Sequence, residues 1–520
     1  VRDLAIGVDV GSTSARAGIY ARDGRMLGSG QAPFAVHRPL PDHAEHGSDE
    51  IWEAVATAVR AALAAAKAAP SAVGALAFDA TCSLVMLDPG GRPASVSEGG
   101  EDRWNVVMWA DHRAKDEAAE ITAGGHRVLD YVGGVMSPEM EVPKLLWLAR
   151  RRPAQWRRYG MAMDLADFLV WRATGRIVAS ACTLACKWTY LNHEDPGWQA
   201  DFLAGLGLGG ALERLQVPAR AAPVASRAGG LSPAAAAELG LEAGTPVAVG
   251  LIDAHAGGLG LLGGTAPAEF DCAIALIAGT SSCHMALSAA PRAIPGVWGP
   301  YFGAMVPGYW LNEGGQSATG ALLDHVLDWH AEGRGLPGDR HATLARHIER
   351  RLAEHGPGYA ADLLVLPDFR GNRSPLADPS RKGAVFGLDL DASFESLSRL
   401  YYAAAVGIAY GTRHIVDAMN AKGYAIDRLH LAGGHARTEF LTRLYADATG
   451  CTVVLAREPD AVTLGSAISA AAAAGLHPGL AAAGAAMCGE GRRVAPDARA
   501  RAVHDAGYRR FRAALDAADV

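Results

Sequence analysis

Apolar and polar positions open the chain in a strand–turn–strand rhythm. Residues 4–8 are a short apolar run that predicts a buried strand, Gly11-Ser12-Thr13-Ser14 a tight turn, and residues 15–20 a returning strand. Arg22-Asp23-Gly24 predicts a turn and residues 25–34 a third strand, followed by a polar surface loop over 37–48. Over 49–69 the apolar residues Ile51, Trp52, Val55, Val59 and Leu63 share one helical face, with Ser48 or Asp49 available as the cap. Residues 73–78 and 106–110 read as strands, and 114–121 and 145–151 as helices. A helix over 164–173 is stopped by Gly175, and 184–192 is strand-like or loop.

After a Gly- and Pro-rich stretch, residues 245–253 predict a strand that ends on Asp253, followed by a glycine-rich helix. Residues 273–287 then repeat the opening pattern, with Gly279-Thr280-Ser281-Ser282 falling on Gly11-Ser12-Thr13-Ser14 and Ile277 where the first copy has Asp9. Farther on come a helix over 317–329, a loop over 370–375 and a long helix over 394–419. A strand over 428–432 ends in Gly433-Gly434, and an alanine-rich helix starts at Ala461. Two copies of one motif imply duplicated α/β halves facing each other across a cleft, divided here as 1–245 and 246–485, with 486–520 a tail and closing helix.

The length of 520 residues agrees with two domains of about 250 residues each. A net charge of −7 with interspersed signs predicts neither nucleic-acid nor anionic-membrane binding. The seven cysteines form no Cys-x-x-Cys pair and are expected to be reduced thiols in a cytoplasmic protein. Cys182 and Cys186 lie one helical turn apart but have no third ligand near them in sequence, so no zinc site is expected. Neither a signal peptide nor a membrane span is expected.

The turns carry the chemistry. Small residues let backbone N–H groups point at an anion, hydroxyls add donors, and Asp9 beside the first turn can hold a divalent cation. An ordinary hairpin with an Asp at its mouth is the alternative. Two such turns and the Gly433-Gly434 strand end suit ATP, although no Gly-x4-Gly-Lys-Ser/Thr motif is present. Gly258-x-Gly260-x-x-Gly263 matches a dinucleotide fingerprint but sits inside a predicted helix, where close packing explains it better. Asp253, at the end of a buried strand, is the candidate general base, or else the cap of the helix that follows.

These motifs resemble the FGGY family of carbohydrate kinases over essentially the whole chain. The residues that carry the likeness are Asp9–Arg16, Trp109-Ala-Asp111-His-Arg113, Ile252-Asp253-Ala-His-Ala-Gly257, Gly279–Ser282 and Leu431-Ala-Gly433-Gly434. The resemblance implies ribonuclease H-like, actin/hexokinase-type domains with ATP in the cleft and Mg²⁺ at Asp9. It places Gly11, Ser12, Thr13, Ser14, Arg16, Gly279, Thr280, Ser281, Gly320, Gly433 and Gly434 at the nucleotide, with Asp253 as base. Within the family the chain is similar to the ribulokinases, through residues 137–144, Cys186-Lys187-Trp188 and 313–320. That likeness implies a ketopentose held by Cys82, Lys187, Asp253 and Glu313; Thr81–Val85 resembles the D-ribulose branch. Without the family pattern, Lys187 would read as a surface lysine and Glu313 as a helix N-terminal acid. Other pentuloses, pentitols such as ribitol, and an actin-like nucleotide switch are the competing readings. Glu141 and His435-Ala436-Arg437 depart from the family pattern, the latter near the expected adenosine site. A homodimer and closure of the halves over the substrates are further expectations.

Overall fold

The structure is a computed structural model and describes residues 2–517; residue 1 and the last three residues of the predicted tail lie outside the described part. Two mixed sheets repeat one pattern. In the first, Met26–Pro33, Ser14–Tyr20, Leu4–Val10, Val73–Ala80, Pro246–Ala248 and Arg227–Gly230 lie in that order, and Leu251–Ile252 also pairs with Val73–Ala80. In the second the order is Trp298–Phe302, Trp310–Gln316, Ser282–Ser288, Ala273–Ala278, Arg428–Gly433, Thr452–Ala456 and Glu490–Val494. In each sheet the first strand of a hairpin pairs antiparallel with its return and parallel with the next strand inward. The duplication read from the two turns is therefore a duplication of sheet topology.

Register explains how the copies diverged. Asp9 lies opposite Asp79 on the parallel neighbour, whereas the equivalent Ile277 lies opposite Ala432. One copy presents two adjacent carboxylates and the other presents none. Leu251 pairs with Asp79 in turn, so the chain emerges at Asp253 beside the same acids.

Two helices of the second half pack closely on each other. Helix Asp253–Leu262 lies against helix Ala461–Ala473. A side-chain carbon at Gly260 would collide with the Ala461 carbonyl, and one at Gly465 with that of Ala256. Gly7 is equally constrained by the Thr463 carbonyl, so the second half's helix also seals the first sheet. The Gly258–Gly263 spacing is thus a packing device, as its helical setting predicts.

Several expectations change. Helix Ser48–Ala66 is capped by Gly47 and uses neither Ser48 nor Asp49 as a side-chain cap. The strand expected over 106–110 shrinks to Val106–Val107. Helix Glu141–Arg151 begins a turn earlier than expected, because Pro143 falls in the first turn, where its missing N–H costs nothing. Residues expected to be strand-like or loop after Leu184 include the end of helix Ala181–Lys187, whose start is capped by Ser180 accepting from the Cys182 N–H. The tail is built into the second half: Glu490–Val494 adds a strand beside Thr452–Ala456, and helix Ala498–Ala517 packs on helices Phe394–Asn420 and Glu439–Thr449. Among the described residues no helix is long and apolar enough to cross a membrane.

Candidate active site

The first turn is held from behind, leaving its front free. The Gly11 N–H donates to the Ser14 carbonyl at 3.0 Å, and the Phe34 N–H to that of Thr13 at 3.0 Å. His46 Nε2 donates to the Ser12 carbonyl at 3.0 Å, and the Trp109 indole donates to Ser12 Oγ at 2.9 Å. With an N–H already given to it, the Ser12 hydroxyl keeps its own hydrogen for a ligand. Ser14 Oγ is taken up by Gln31, at 3.0 Å, on the neighbouring strand.

The second turn is braced by the residues that follow it. Gly320 N and Thr319 Oγ1 both donate to the Gly279 carbonyl at 2.9 Å. A side-chain carbon on Gly320 would lie 2.7 Å from that carbonyl. Gly433, at φ +92°, abuts the Ala278 carbonyl so closely that only glycine fits. Gly320 and Gly433 therefore shape the cradle from outside it.

Between the turns lies a cleft of about 670 Å³. Its lining brings together Asp9, Gly11, Ser12, Thr13, Arg16, Cys82, Lys187, Asp253, Gly279, Thr280, Ser281 and Glu313 of the predicted set. Ser14, Gly320, Gly433 and Gly434 are not part of that lining. His435, beyond the glycine pair, turns inward to Tyr445 Oη at 2.9 Å.

Acids concentrate at the end of the cleft next to the first turn. Arg16 donates to Asp9 through Nε at 2.8 Å and also through Nη2, and its Nη1 reaches Asp460 of the second half at 3.2 Å. Burial raises the Asp9 pKa against the pull of Arg16. Asp79, fully buried, accepts from Ser466 at 2.6 Å, and its carboxyl lies within hydrogen-bonding reach of that of Asp9. Burial and the neighbouring Asp9 push Asp79 well above the usual carboxylate range. Two buried carboxyls side by side next to an anion cradle fit Mg²⁺, which takes one or two carboxylates plus phosphate oxygens and water. Among the described residues no three His, Cys, Asp or Glu side chains form a metal cage.

The other end is a buried polar pocket. Asp253 is the first residue of its helix, with Ile252 in the capping position, and its Oδ1 accepts from the Ala254 N–H at 2.7 Å. Burial first, then the charges of Asp9 and Glu313, raise its pKa to about 7. Lys187 is buried, not on the surface, with Nζ 4.3 Å from the Trp298 ring centroid. Burial opposes its charge, yet facing Cys82 and Glu313 hold its pKa well above the usual lysine range. Glu313 lies mid-strand, not at a helix start. Burial would raise its pKa, but Lys187, a hydrogen bond from His255 and Arg373 together hold it at about 2. Two buried carboxyls in one pocket thus differ widely: one stays ionised and one titrates near neutrality.

Behind Cys82, Glu141 and Lys144 form a fully buried pair 3.5 Å apart, which accounts for the acid at position 141. Trp109, Trp298, Glu139 and Arg373 also line the cleft, with Asp79 buried beside Asp9, and residue spacing singles out none of them. Asp79 carried one available signal, its place at the C-terminal end of a buried strand. Arg373 and Glu139 meet at 3.3 Å from opposite halves, a long-range contact that only the fold creates.

Comparisons with known proteins show the family and the fold. Models of the FGGY family of carbohydrate kinases match residues 4–260 (N-terminal domain) and 274–474 (C-terminal domain). The chain is 45% identical over 490 residues to an FGGY carbohydrate kinase domain-containing protein of Danio rerio, covering 90% of this chain and 89% of that one. It is 36% identical over 513 residues to a D-ribulokinase of Saccharomyces cerevisiae, covering 90% and 71%. A solved xylulose kinase from Rhodospirillum rubrum superposes with a TM-score of 0.80 at 24% identity, covering 99% and 98%, which shows a shared fold.

Proposed function

Because the chain belongs to the FGGY family of carbohydrate kinases and is a sugar kinase, we propose that it transfers the γ-phosphoryl group of ATP to the terminal hydroxyl of a ketopentose, D-ribulose giving D-ribulose 5-phosphate. The observation that carries this reading is Asp253, a buried carboxyl with a pKa near 7 set between two hydroxyl-bearing anion turns and a pocket of Lys187 and Glu313. A neutral sugar offers no charge to grip, so convergent hydrogen-bonding groups must fix it. Lys187 donates to a carbonyl or hydroxyl oxygen, and Glu313, ionised throughout, accepts from hydroxyls. Cys82 and the faces of Trp109 and Trp298 border the carbon chain.

Asp253 removes the proton from the attacking hydroxyl as its oxygen bonds to the γ-phosphorus. The bond from that phosphorus to the β–γ bridging oxygen breaks, ADP departs, and Asp253 returns the proton to solvent. Turn N–H and hydroxyl groups from both halves hold the phosphates in line, and Arg16 adds positive charge where negative charge collects. When bound, Mg²⁺ held by Asp9 and Asp79 would neutralise phosphate charge. The Arg373–Glu139 contact between halves helps keep water from the γ-phosphate.

A panel of D-ribulose, L-ribulose, D-xylulose, L-xylulose and ribitol, read by ADP release, tests the substrate. D-ribulose is expected to give the highest kcat/KM. A higher value for another pentulose or for ribitol rejects the D-ribulose assignment and keeps the kinase, whereas slow sugar-independent ADP release points to a nucleotide switch. We further take the assembly to be a homodimer of 54.0 kDa chains; light scattering returning a single-chain mass rejects it.

A further inference from the structure

The three charged side chains assigned to the sugar sit on three different elements, and those elements meet at one imidazole. Lys187 closes helix Ala181–Lys187, Asp253 opens helix Asp253–Leu262, and Glu313 lies within strand Trp310–Gln316. His255, fully buried two residues after Asp253, reaches the other two elements. Its Nε2 is 3.1 Å from Glu313 Oε2, and its Nδ1 is 3.1 Å from Cys182 Sγ and 3.9 Å from Cys186 Sγ.

Donors and acceptors order this contact chain. An ionised carboxylate only accepts, so Nε2 carries the hydrogen. A ring that carries its single hydrogen on Nε2 has a bare lone pair at Nδ1, and the nearest donor to that atom is the Cys182 thiol. Burial holds the Cys182 and Cys186 thiols well above their ordinary range, so the S–H hydrogens are present. Cys182 Sγ in turn accepts the backbone N–H of Ile252 at 3.4 Å, the residue immediately before Asp253.

We propose that Cys182 and His255 are positioning residues for the sugar site: Cys182 fixes His255 as its Nε2–H tautomer, and His255 orients the Glu313 carboxylate toward the substrate. This rests on reading Glu313 as a sugar ligand. Neither residue touches the reacting atoms. The His255–Glu313 bond also ties the helix that opens with Asp253 to the second sheet.

The test combines kinetics with a spectroscopic signature. His255→Ala is expected to raise the sugar KM about tenfold while the ATP KM and kcat stay within about twofold. His255→Gln, whose amide N–H can still point at Glu313, is expected to recover most of that loss. Cys182→Ala should raise the sugar KM a few-fold, and Cys182→Ser, which keeps a hydrogen-bond donor, should restore it. Equal rises in both KM values, or no recovery by Gln and Ser, overturn the positioning role. Nitrogen-15 NMR of histidine-labelled wild type is expected to show His255, identified by its loss in His255→Gln, with hydrogen on Nε2 and none on Nδ1. The opposite tautomer, or a doubly protonated ring, overturns the proposal even if no tested sugar is turned over, so its failure is distinguishable from failure of the substrate assignment.

Discussion

Replacing Asp253 by asparagine removes a base and, at the same time, a destabilising buried charge. The carboxyl has its pKa raised from 3.8 to about 7, chiefly by burial. Below the unfolded value both states hold the proton, and the group contributes nothing to stability. Between that pH and about 7 the unfolded chain releases a proton that the folded chain keeps, so stability falls as pH rises, levelling off above the folded pKa. Three units at about 1.4 kcal/mol each bring the cost to at most about 4 kcal/mol at pH 8 and above, with about half of it present near pH 5.5. Asp253→Asn should therefore be more stable than wild type in urea titrations at pH 8.5, with a smaller margin at pH 5.5. It should also lose about 10²–10⁴-fold in kcat while binding ATP normally. The wild-type kcat/KM should rise about tenfold per pH unit below 7 and level off above it. A variant that keeps most of its activity, or a stability margin that does not change with pH, would refute a buried carboxyl acting as base.

Three other outcomes follow from particular contacts. Glu313→Gln should raise the sugar KM at least tenfold and move the acidic limb of the pH–rate profile to lower pH, because Glu313, with a pKa of about 2, is ionised where Asp253 titrates and its charge helps raise the Asp253 pKa. Asp79→Asn should raise the Mg²⁺ concentration needed for half-maximal activity about tenfold, read by MgCl₂ titration, while EDTA abolishes wild-type turnover. Gly433→Ala places a side-chain carbon against the Ala278 carbonyl at φ +92°, costing about 1–3 kcal/mol and raising the ATP KM with the sugar KM little changed.

Much of the architecture was legible because it repeats. Gly11–Ser14 and Gly279–Ser282 mark two copies of one hairpin, and their flanking apolar runs read directly as strands, since buried strands need β-branched residues on both faces. The lost acid at Ile277 was visible too. Its partner loss at Ala432 was not, because pairing across parallel strands depends on register that no local pattern encodes. Lys187 and Glu313 could be named only through the family resemblance. One ends a short helix of mixed composition and the other lies in a glycine-containing strand, so neither periodicity nor capping marks them. His255, Arg373 and Glu139 matter through contacts between segments far apart in the chain. The helix after Ile252 was expected, but the thiol and carboxylate that its histidine meets come from opposite halves.

Transfer of the γ-phosphoryl group onto a ketopentose hydroxyl, as proposed for this cleft, leaves a product that can be observed. Phosphorus NMR of a reaction with D-ribulose, ATP and Mg²⁺ measures that most directly. The γ-phosphate signal of ATP should be replaced, one for one, by a phosphomonoester split by a methylene group, identifying the terminal hydroxyl as acceptor. Inorganic phosphate in its place, at a rate indifferent to the sugar, would contradict it.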